Sequence, residues 1–368
     1  MTIRRGLRLL FTTRAFGGGG AERVWSTLAD RFAARGDEVI LAVDGDGERP
    51  SFADPTNPRI EILGPRHLGA TRRLGELLRE FRPDVALAAI SGSCVKLVAA
   101  TILTGSRVPV VVSYHGFQEY LTGHLAKLAY WGMPVMNRRA TRIVAVSDGL
   151  HRELIERWGA NPTKTCRIHN PATIDLGGAA ATAGDLAERP DVVLTAGRLS
   201  PEKGVDVLIE AFARVKRPGA RLLVAGDGPE RGRLERRAHD LGIADRVTFL
   251  GQVADIRPLY RQTRVLAVPS RTEAFGMVVV EALAHGLPIV ATACTGPTEI
   301  LDGGHYGRLV PVEDPASLAA GIDMALADVG DPTPRFDRAA HFSFEKGFAE
   351  WARLVDTIAI ATSEGAAT

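Results

Sequence analysis

The sequence contains little of what marks several protein classes. Its 368 residues include only three cysteines, Cys94, Cys166 and Cys294, whose wide spacing argues against a disulfide framework or a zinc site. We therefore expect three small, buried, reduced side chains and no metal site. The formal charge is only +2 at pH 7, so bulk electrostatics predicts no nucleic-acid binding. The apolar run near the N-terminus is too short for a signal peptide or a membrane span, and we expect a cytoplasmic protein.

A dinucleotide-binding fingerprint is also missing. The pattern predicts a buried strand over Leu7–Thr12 and a helix over Ala21–Ala34, joined by four glycines at 17–20. A glycine loop at the carboxyl end of a parallel strand offers backbone N–H groups to a phosphate, or lets a substrate come close. The fingerprint G-x-G-x-x-G would need glycine at the position of Glu22, so we do not expect a nicotinamide cofactor.

Strand and helix patterns alternate along the rest of the chain. Alternation at these lengths predicts parallel sheets covered by helices on both faces, that is, an α/β fold of two doubly wound domains. The periodicity fades between residues 171 and 190, where proline, glycine and alanine predominate. We therefore predict a first domain at 1–170, a linker at 171–190 and a second domain at 191–342. Residues 343–362 are predicted as a C-terminal helix, followed by a disordered tail from about Ser363.

The stretch Ser270–Gly286 carries two acidic residues in a predicted strand–loop–helix–strand unit. Glu273 falls in the loop and Glu281 in the second turn of a helix that starts near Gly276. Two carboxylates so placed can bind two hydroxyl-bearing parts of one ligand, such as a sugar and a ribose. The alternative is an acid favoured by the helix dipole together with an ordinary surface glutamate.

Two cations occur in the segment 197–204, GRLSPEKG. Arg198 follows the first predicted strand of the second domain, and Lys203 precedes the next predicted helix. A guanidinium and an ammonium together can hold a diphosphate, although each alone is usually a solvated surface charge. The glycine-rich turn Gly226–Pro229 follows the neighbouring strand and is expected at the same crevice.

Three features of the first domain have two interpretations each. His115 follows a predicted strand, where a neutral imidazole can bind a sugar hydroxyl or simply be a satisfied polar residue. The helix predicted over Arg72–Arg82 is basic and amphipathic, which suits an anionic membrane as well as a packed helix with a solvated face. The helix predicted over Glu119–Arg139 is apolar and aromatic with basic residues at its end, and both membrane contact and core packing are open.

Motifs along nearly the whole chain resemble those of glycosyltransferase family 4, the large retaining family of the GT-B fold. The matching segments are GGGGAERV, SYHG, IVAVSDGL, IHNPA, GRLSPEKGVDVLIEAF, LLVAGDGPER, RVTFLGQV and EAFGMVVVEALAHGLPIVAT. The resemblance implies two Rossmann-like domains that face each other across a cleft, with the last helix crossing back to the first domain. It also implies that a sugar is moved from a nucleotide diphosphate sugar to an acceptor with retention of configuration.

The resemblance assigns roles to residues at the matching positions. Arg198 and Lys203 would hold the diphosphate. Glu273 would bind hydroxyls of the donor sugar, and Glu281 would bind the ribose. The other positions expected beside the donor are Gly18, Gly19, His115, Asp227, Phe275, Gly276 and Met277. The expected catalytic set is Arg198, Lys203, Glu273 and His115.

The expected co-substrate is a UDP- or GDP-sugar, with no further cofactor. A non-catalytic sugar-nucleotide-binding subunit and another GT-B enzyme, such as a sugar-nucleotide epimerase, are the alternatives. The basic amphipathic segments suggest a glycan or lipid-linked glycan acceptor in envelope polysaccharide assembly, with contact at the inner face of the cytoplasmic membrane.

Overall fold

The computed structural model describes residues 6–16, 19–45, 58–117, 124–172 and 181–366. The chain forms two compact units. Unit 1 comprises Met1–Thr173 and Phe344–Thr368, and unit 2 comprises Ile174–Ser343.

Unit 1 is built on a parallel sheet whose described strands number seven. They are β1 (Arg8–Thr13), β2 (Glu38–Val43), β3 (Arg59–Ile62), β4 (Val85–Ala89), β5 (Val110–Tyr114), β6 (Arg142–Ala145) and β7 (Thr165–Arg167). Their order is β3-β2-β1-β4-β5-β6-β7, so the chain changes direction across the sheet between β1 and β4. The central strands β4 and β5 are fully buried, as expected for a sheet covered on both faces.

Helices connect these strands, and the last helix of the chain also packs on unit 1. They are α1 (Gly20–Ala34), α2 (His67–Phe81), α3 (Ser91–Thr104), α4 (His124–Trp131), α5 (Met133–Arg139), α6 (Asp148–Glu156) and α15 (Phe344–Ala366). Two aromatic pairs join α15 to α1: Trp351 lies 5.2 Å from Trp25, and Phe348 lies 5.0 Å from Phe32, measured between ring centroids. Edge-on aromatic pairs of this kind add to the energy of area burial.

Unit 2 repeats the architecture with a six-stranded parallel sheet. Its strands are β8 (Val192–Ala196), β9 (Arg221–Ala225), β10 (Val247–Gly251), β11 (Val265–Val268), β12 (Ile289–Thr292) and β13 (Arg308–Val310). Its helices are α7 (Ala183–Ala187), α8 (Val205–Phe212), α9 (Arg231–Asp240), α10 (Arg257–Gln262), α11 (Met277–Ala284), α12 (Thr295–Ile300), α13 (Pro315–Ala327) and α14 (Thr333–Ala340). The strand order β10-β9-β8-β11-β12-β13 places the change of direction between β8 and β11. The α/β class and the doubly wound topology predicted for both halves are confirmed.

Three local predictions were wrong, each for a local reason. The helix predicted over 119–139 is interrupted at Gly132, because Pro134 in the first turn of α5 has no N–H for a continuous helix. The predicted linker contains α7, which a reciprocal capping box between Thr182 and Asp185 starts. The helix α15 continues through the predicted tail to Ala366, since its last turns carry no proline and several strong helix formers.

The cysteines agree with the prediction of reduced, buried side chains at two of the three positions. All three cysteines are free thiols; Cys94 and Cys294 are buried, whereas Cys166 is only partly buried. Within the described ranges, none of the helices combines the length and hydropathy that a membrane-crossing segment requires.

Candidate functional site

The change of strand direction in unit 2 creates a concavity at the carboxyl ends of β8 and β11. In open α/β sheets the loops at such a point diverge and leave a crevice in which ligands bind. The space at this point between the protein atoms is about 320 Å³, which includes open solvent. Its lining includes the ends of the two strands and the side chains of Arg198, Lys203 and Glu273. We call it the β8/β11 concavity.

Glycines hold the loops after β8 and β9 against each other. A Cβ on Gly226 would overlap the carbonyl oxygen of Gly197, and one on Gly228 would lie 2.8 Å from the backbone N and C of Leu199. The N–H of Leu199 donates to the carbonyl of Asp227 at 2.9 Å. The glycines are therefore needed for the backbone contact that fixes the position of the segment carrying Arg198.

The loops after β8 and β11 are also locked together. Gly204 has φ +63°, and a Cβ there would overlap the carbonyl oxygen of Pro269. The guanidinium of Arg271 donates to both carboxylate oxygens of Asp206 at 2.9 and 3.0 Å and also pairs with Glu313. The hydrogen bonds that Arg271 donates to Asp206 and Glu313 raise its pKa. Arg271 was not predicted from the sequence, because its partners lie far away along the chain.

Lys203 and Glu273 form the charged pair at the centre of the concavity. The Lys203 Nζ donates to Glu273 Oε2 at 2.5 Å, and the two side chains are 28% and 15% exposed. Burial alone lowers the pKa of Lys203, but the attraction and hydrogen bond of Glu273 outweigh it, so that the pKa is raised. The lysine therefore remains charged at every physiological pH.

A second cation lies at the rim of the same concavity. Arg198 is exposed, and within the described residues its guanidinium has no hydrogen-bond or ion-pair partner. Asp227, on the adjacent loop, has one carboxylate oxygen held by the N–H of Gly228 at 2.7 Å and the other 3.2 Å from Arg231. The free fork of Arg198 and the ammonium of Lys203 form a site suited to an anionic ligand.

The first turn of α11 borders Glu273. Gly276 precedes the helix with φ +101°, and a Cβ there would lie 3.3 Å from the Cγ of Glu273 and 3.4 Å from the Cγ2 of Val279. Met277 starts the helix, and backbone N–H groups of a first turn have no partner within the helix. The side chain of Phe275 is buried against Phe342, at 5.6 Å between ring centroids, so its ring is not available to a ligand.

Glu281 is not part of the lining of the β8/β11 concavity. Its side chain is 2% exposed, and Tyr260 Oη donates to its Oε2 at 2.8 Å. His285 donates from Nδ1 to the Glu281 carbonyl at 2.8 Å, and its ring lies 5.0 Å from that of Tyr260. The sequence predicted Glu273 in the loop and Glu281 inside the helix. It did not predict that the Glu281 side chain is enclosed by Tyr260 and His285.

Cys294 is a further neighbour of the charged pair that sequence reasoning missed. Burial raises the pKa of its thiol to about 11, with smaller effects from Thr292, Glu273 and Lys203. The thiol is therefore protonated at neutral pH, which disfavours a role as a nucleophile.

His115 lies in unit 1, directly after β5. Its Nε2 is 3.0 Å from the Ser113 hydroxyl, and its Nδ1 is buried with no hydrogen-bond partner among the described residues. Burial lowers the pKa of His115 to about 4, so the imidazole is neutral at physiological pH. A neutral imidazole with an unused nitrogen can donate to or accept from a ligand hydroxyl.

In the glycine loop of unit 1, the carboxylate of Glu22 lies at the start of α1. Gly18 lies outside the described residues. Gly19 caps α1, and the carboxylate of Glu22 folds back against it and pairs with Arg14 at 2.7 Å. An anion already present at this helix terminus disfavours a dinucleotide phosphate there, in agreement with the missing fingerprint.

Two family models match the chain, one in each half. The model described as "Glycosyltransferase Family 4" matches residues 18–176, and the model described as "Glycosyl transferases group 1" matches residues 182–340.

Curated relatives and solved structures agree with these matches. The chain is 39% identical to the lipopolysaccharide core biosynthesis glycosyltransferase LpsE of Rhizobium meliloti, over 84% of this chain and 86% of the relative. It is 31% identical to the D-inositol 3-phosphate glycosyltransferase of Gordonia bronchialis, over 84% of this chain and 76% of the relative. The crystal structure of Anabaena Alr3699/HepE in complex with UDP and glucose is similar with a TM-score of 0.83 and 24% identity, covering 95% of this chain and 100% of that one.

Proposed function

The chain belongs to glycosyltransferase family 4 and has the GT-B fold, and we propose that it transfers a hexose from a nucleotide diphosphate sugar with retention of configuration. The observation that carries the proposal is the Lys203–Glu273 pair in the β8/β11 concavity, with the free guanidinium of Arg198 beside it. Two cations and one sugar-binding carboxylate are the groups that such a donor requires.

The diphosphate is the part of the donor that Lys203 and Arg198 would bind. Breaking the bond between sugar and phosphate moves negative charge onto the leaving diphosphate, and cations already in position stabilise that charge in the transition state. Because a diphosphate carries more charge than one carboxylate, it would compete with Glu273 for the ammonium of Lys203. The freed carboxylate of Glu273 would then accept hydrogen bonds from sugar hydroxyls.

Retention is proposed to occur by attack of the acceptor on the face that the diphosphate leaves. Among the described residues that line the β8/β11 concavity, Glu273 is the one carboxylate, and it is already paired with Lys203. This supports direct front-face transfer over a covalent intermediate, which would need a second group free to act as a nucleophile.

The remaining predicted contacts fit this donor as secondary binding groups. The backbone N–H groups at Gly276 and Met277 would bind the sugar or a phosphate, as helix N-termini do for anions. The neutral His115 would bind a sugar hydroxyl. Asp227 would lie near the base. Glu281 would bind the ribose, which requires its enclosed side chain to become accessible when the donor binds.

We propose a UDP- or GDP-sugar as donor and a glycan or lipid-linked glycan of the cell envelope as acceptor, with no further cofactor. The UDP and glucose held by the similar Anabaena structure support this class of donor. The lipopolysaccharide core relative, at 39% identity, supports an envelope glycan as acceptor.

A panel of nucleotides tests the donor. Melting temperatures are measured with UDP, GDP and ADP and with their sugar conjugates, and the stabilising conjugate is then tested for transfer to envelope glycan extracts. We expect stabilisation by one nucleotide diphosphate family, since a ligand at 100 times its Kd adds roughly 2.7 kcal/mol. Proton NMR is expected to show that the transferred sugar has the same anomeric configuration in the product as in the donor. Inversion would contradict the mechanism, and binding without transfer or hydrolysis would favour a non-catalytic subunit.

A further inference from the structure

The outer side of α4 and α5 exposes large apolar side chains. Leu128, Trp131 and Val135 are 55%, 76% and 47% exposed. Leu128 and Trp131 are three residues apart on α4, which places them on one side of that helix, and Val135 lies on α5. Lys127 and Arg138 flank them and are also exposed. We call these five residues the α4–α5 surface.

The inner side of the same two helices is buried, which fixes the direction in which the surface points. Tyr130 is 1% exposed and packs between Tyr114 and Trp158, with ring centroids 5.2 and 5.0 Å away. At the end of α5, Arg139 donates to the carbonyl of Ser106 at 2.7 Å. Because the opposite side of the helix is buried, the Trp131 side chain points outward.

Acidic residues are almost missing from this part of the chain. Residues 85–147 contain six lysines and arginines but one acid, Glu119. On α6, which follows, Asp148 and Glu153 are ion-paired and Glu156 is exposed, so the acid-poor region ends there. The α4–α5 surface thus combines apolar side chains with cations and contains no carboxylate.

The basic helix α2 does not offer a comparable surface. Leu68 in its first turn is 81% exposed, but Leu74, Leu77 and Leu78 are between 0% and 4% exposed, because they pack inside unit 1. Arg72 is paired with a glutamate on the same helix, and Arg73 with three glutamates. Of its two interpretations, the packed helix with a solvated face is the one that agrees with the structure.

We propose that the α4–α5 surface docks on an anionic lipid bilayer. Trp131 and Leu128 would enter the boundary between head groups and acyl chains, where amphipathic aromatic rings are favoured. Lys127 and Arg138 would remain at the level of the lipid phosphates and attract them. A second copy of the chain fits less well, because the same cations would then meet with no carboxylate in the surface to pair them. The inference goes beyond the transfer reaction and does not depend on it.

Vesicle flotation with the full chain tests the proposal. Vesicles of equal parts phosphatidylglycerol and phosphatidylcholine are compared with vesicles of phosphatidylcholine alone, at low salt. We expect binding to the anionic vesicles only, weakened roughly fivefold for each cation removed in Lys127→Gln and Arg138→Gln. Leu128→Gln with Trp131→Gln is expected to weaken binding by about tenfold or more. The matched controls on unit 2, Met324→Gln and Arg236→Gln, should bind like the wild type.

Tryptophan fluorescence supplies a second readout. Lipids brominated near the head groups should quench the wild-type emission more strongly than that of Trp131→Phe, since Trp25 and Trp351 are buried and Trp158 is only partly exposed. The proposal is overturned if the wild type fails to float with anionic vesicles, or if the controls lose as much binding as the surface variants. It is also overturned if the wild type does not bind lipid and light scattering shows a dimer that Trp131→Gln dissociates.

Discussion

At the scale of single residues, the β8/β11 concavity brings a cation and an anion into contact before a substrate arrives. Lys203 and Glu273 are joined at 2.5 Å, and each side chain is mostly buried. Removing either partner would leave an uncompensated charge in a poorly solvated site. The pair thus holds both side chains in position, and we propose that the incoming diphosphate replaces Glu273 as the partner of Lys203.

Glu273 and Glu281 should respond differently to mutation. Glu273→Ala removes a group that we place at the reacting sugar, so kcat should fall by about 10²-fold. Tyr260→Phe removes the hydrogen bond that holds the buried carboxylate of Glu281. If Glu281 binds the ribose, this substitution should raise the donor KM about tenfold and leave kcat nearly unchanged. Steady-state kinetics with varied donor concentration measures both parameters. A loss of kcat at constant KM in Tyr260→Phe would contradict the assignment.

The pKa of His115 predicts how stability depends on pH. Burial lowers the pKa to about 4, below the value of about 6.5 that histidine has in an unfolded chain. The unfolded state therefore binds more protons between these two values, and the contribution of His115 to stability is lost as the pH falls from 6.5 to 4. The loss should be roughly 1.4 kcal/mol per pH unit at most.

Melting temperatures of the wild type and of His115→Gln, measured from pH 7.5 to pH 4.5, check this prediction. The wild type should lose more stability than the variant as the solution is acidified, because only the wild type takes up the extra proton on unfolding. Parallel curves would show that His115 is not buried as described.

At the scale of elements, the glycine turn after β9 should control the position of the turn after β8. In Gly228→Ala the new Cβ meets the backbone of Leu199 at 2.8 Å, and one of the two loops must move. We expect a loss of roughly 1–3 kcal/mol in stability and weaker donor binding, because Arg198 moves with its loop. Gly219→Ala is the control, since nothing lies within 4 Å of its Cβ. Thermal unfolding and donor titration of both variants test this prediction. Equal stability and equal donor affinity of the two variants would contradict the proposed steric clash.

The elements that sequence predicted well are those with local signals. Uninterrupted apolar runs predict buried strands over Glu38–Val43, Val192–Ala196 and Val265–Val268, and β2, β8 and β11 have these bounds. A serine just before a helical pattern predicts an N-cap at Ser147, and the Ser147 hydroxyl accepts from the N–H of Leu150 at the start of α6, at 3.2 Å. The two doubly wound sheets follow from the alternation of such elements.

What sequence did not predict depends on contacts between distant residues. The pairing of Arg271 with Glu313 joins positions 42 residues apart, and no local pattern marks it. The enclosure of Glu281 by Tyr260 follows from how α10 packs beside α11, which spacing within one helix does not reveal. Gly132 and Pro134 are local signals for the break between α4 and α5, although the apolar periodicity around them predicts one continuous helix.

At the scale of the whole molecule, the net charge conceals an uneven distribution. The chain carries only +2 overall, yet residues 85–147 hold six basic residues and one acid. A total near zero gives no reason to expect nucleic-acid binding, but it says nothing about a local surface. The acid-poor segment and the exposed side chains of α4 and α5 support the proposed contact with an anionic bilayer.

The family and the fold concern both units, whereas the proposed donor chemistry depends on a few groups of unit 2. The direct measurement is therefore calorimetric titration of UDP- and GDP-sugars into the wild type, Lys203→Ala and the control Lys216→Ala. We predict that one donor family binds the wild type and Lys216→Ala equally. Lys203→Ala should bind it about tenfold or more weakly, as expected for a lost hydrogen bond between charged groups. Equal affinity of Lys203→Ala and the wild type would contradict the claim that the Lys203–Glu273 site holds the diphosphate.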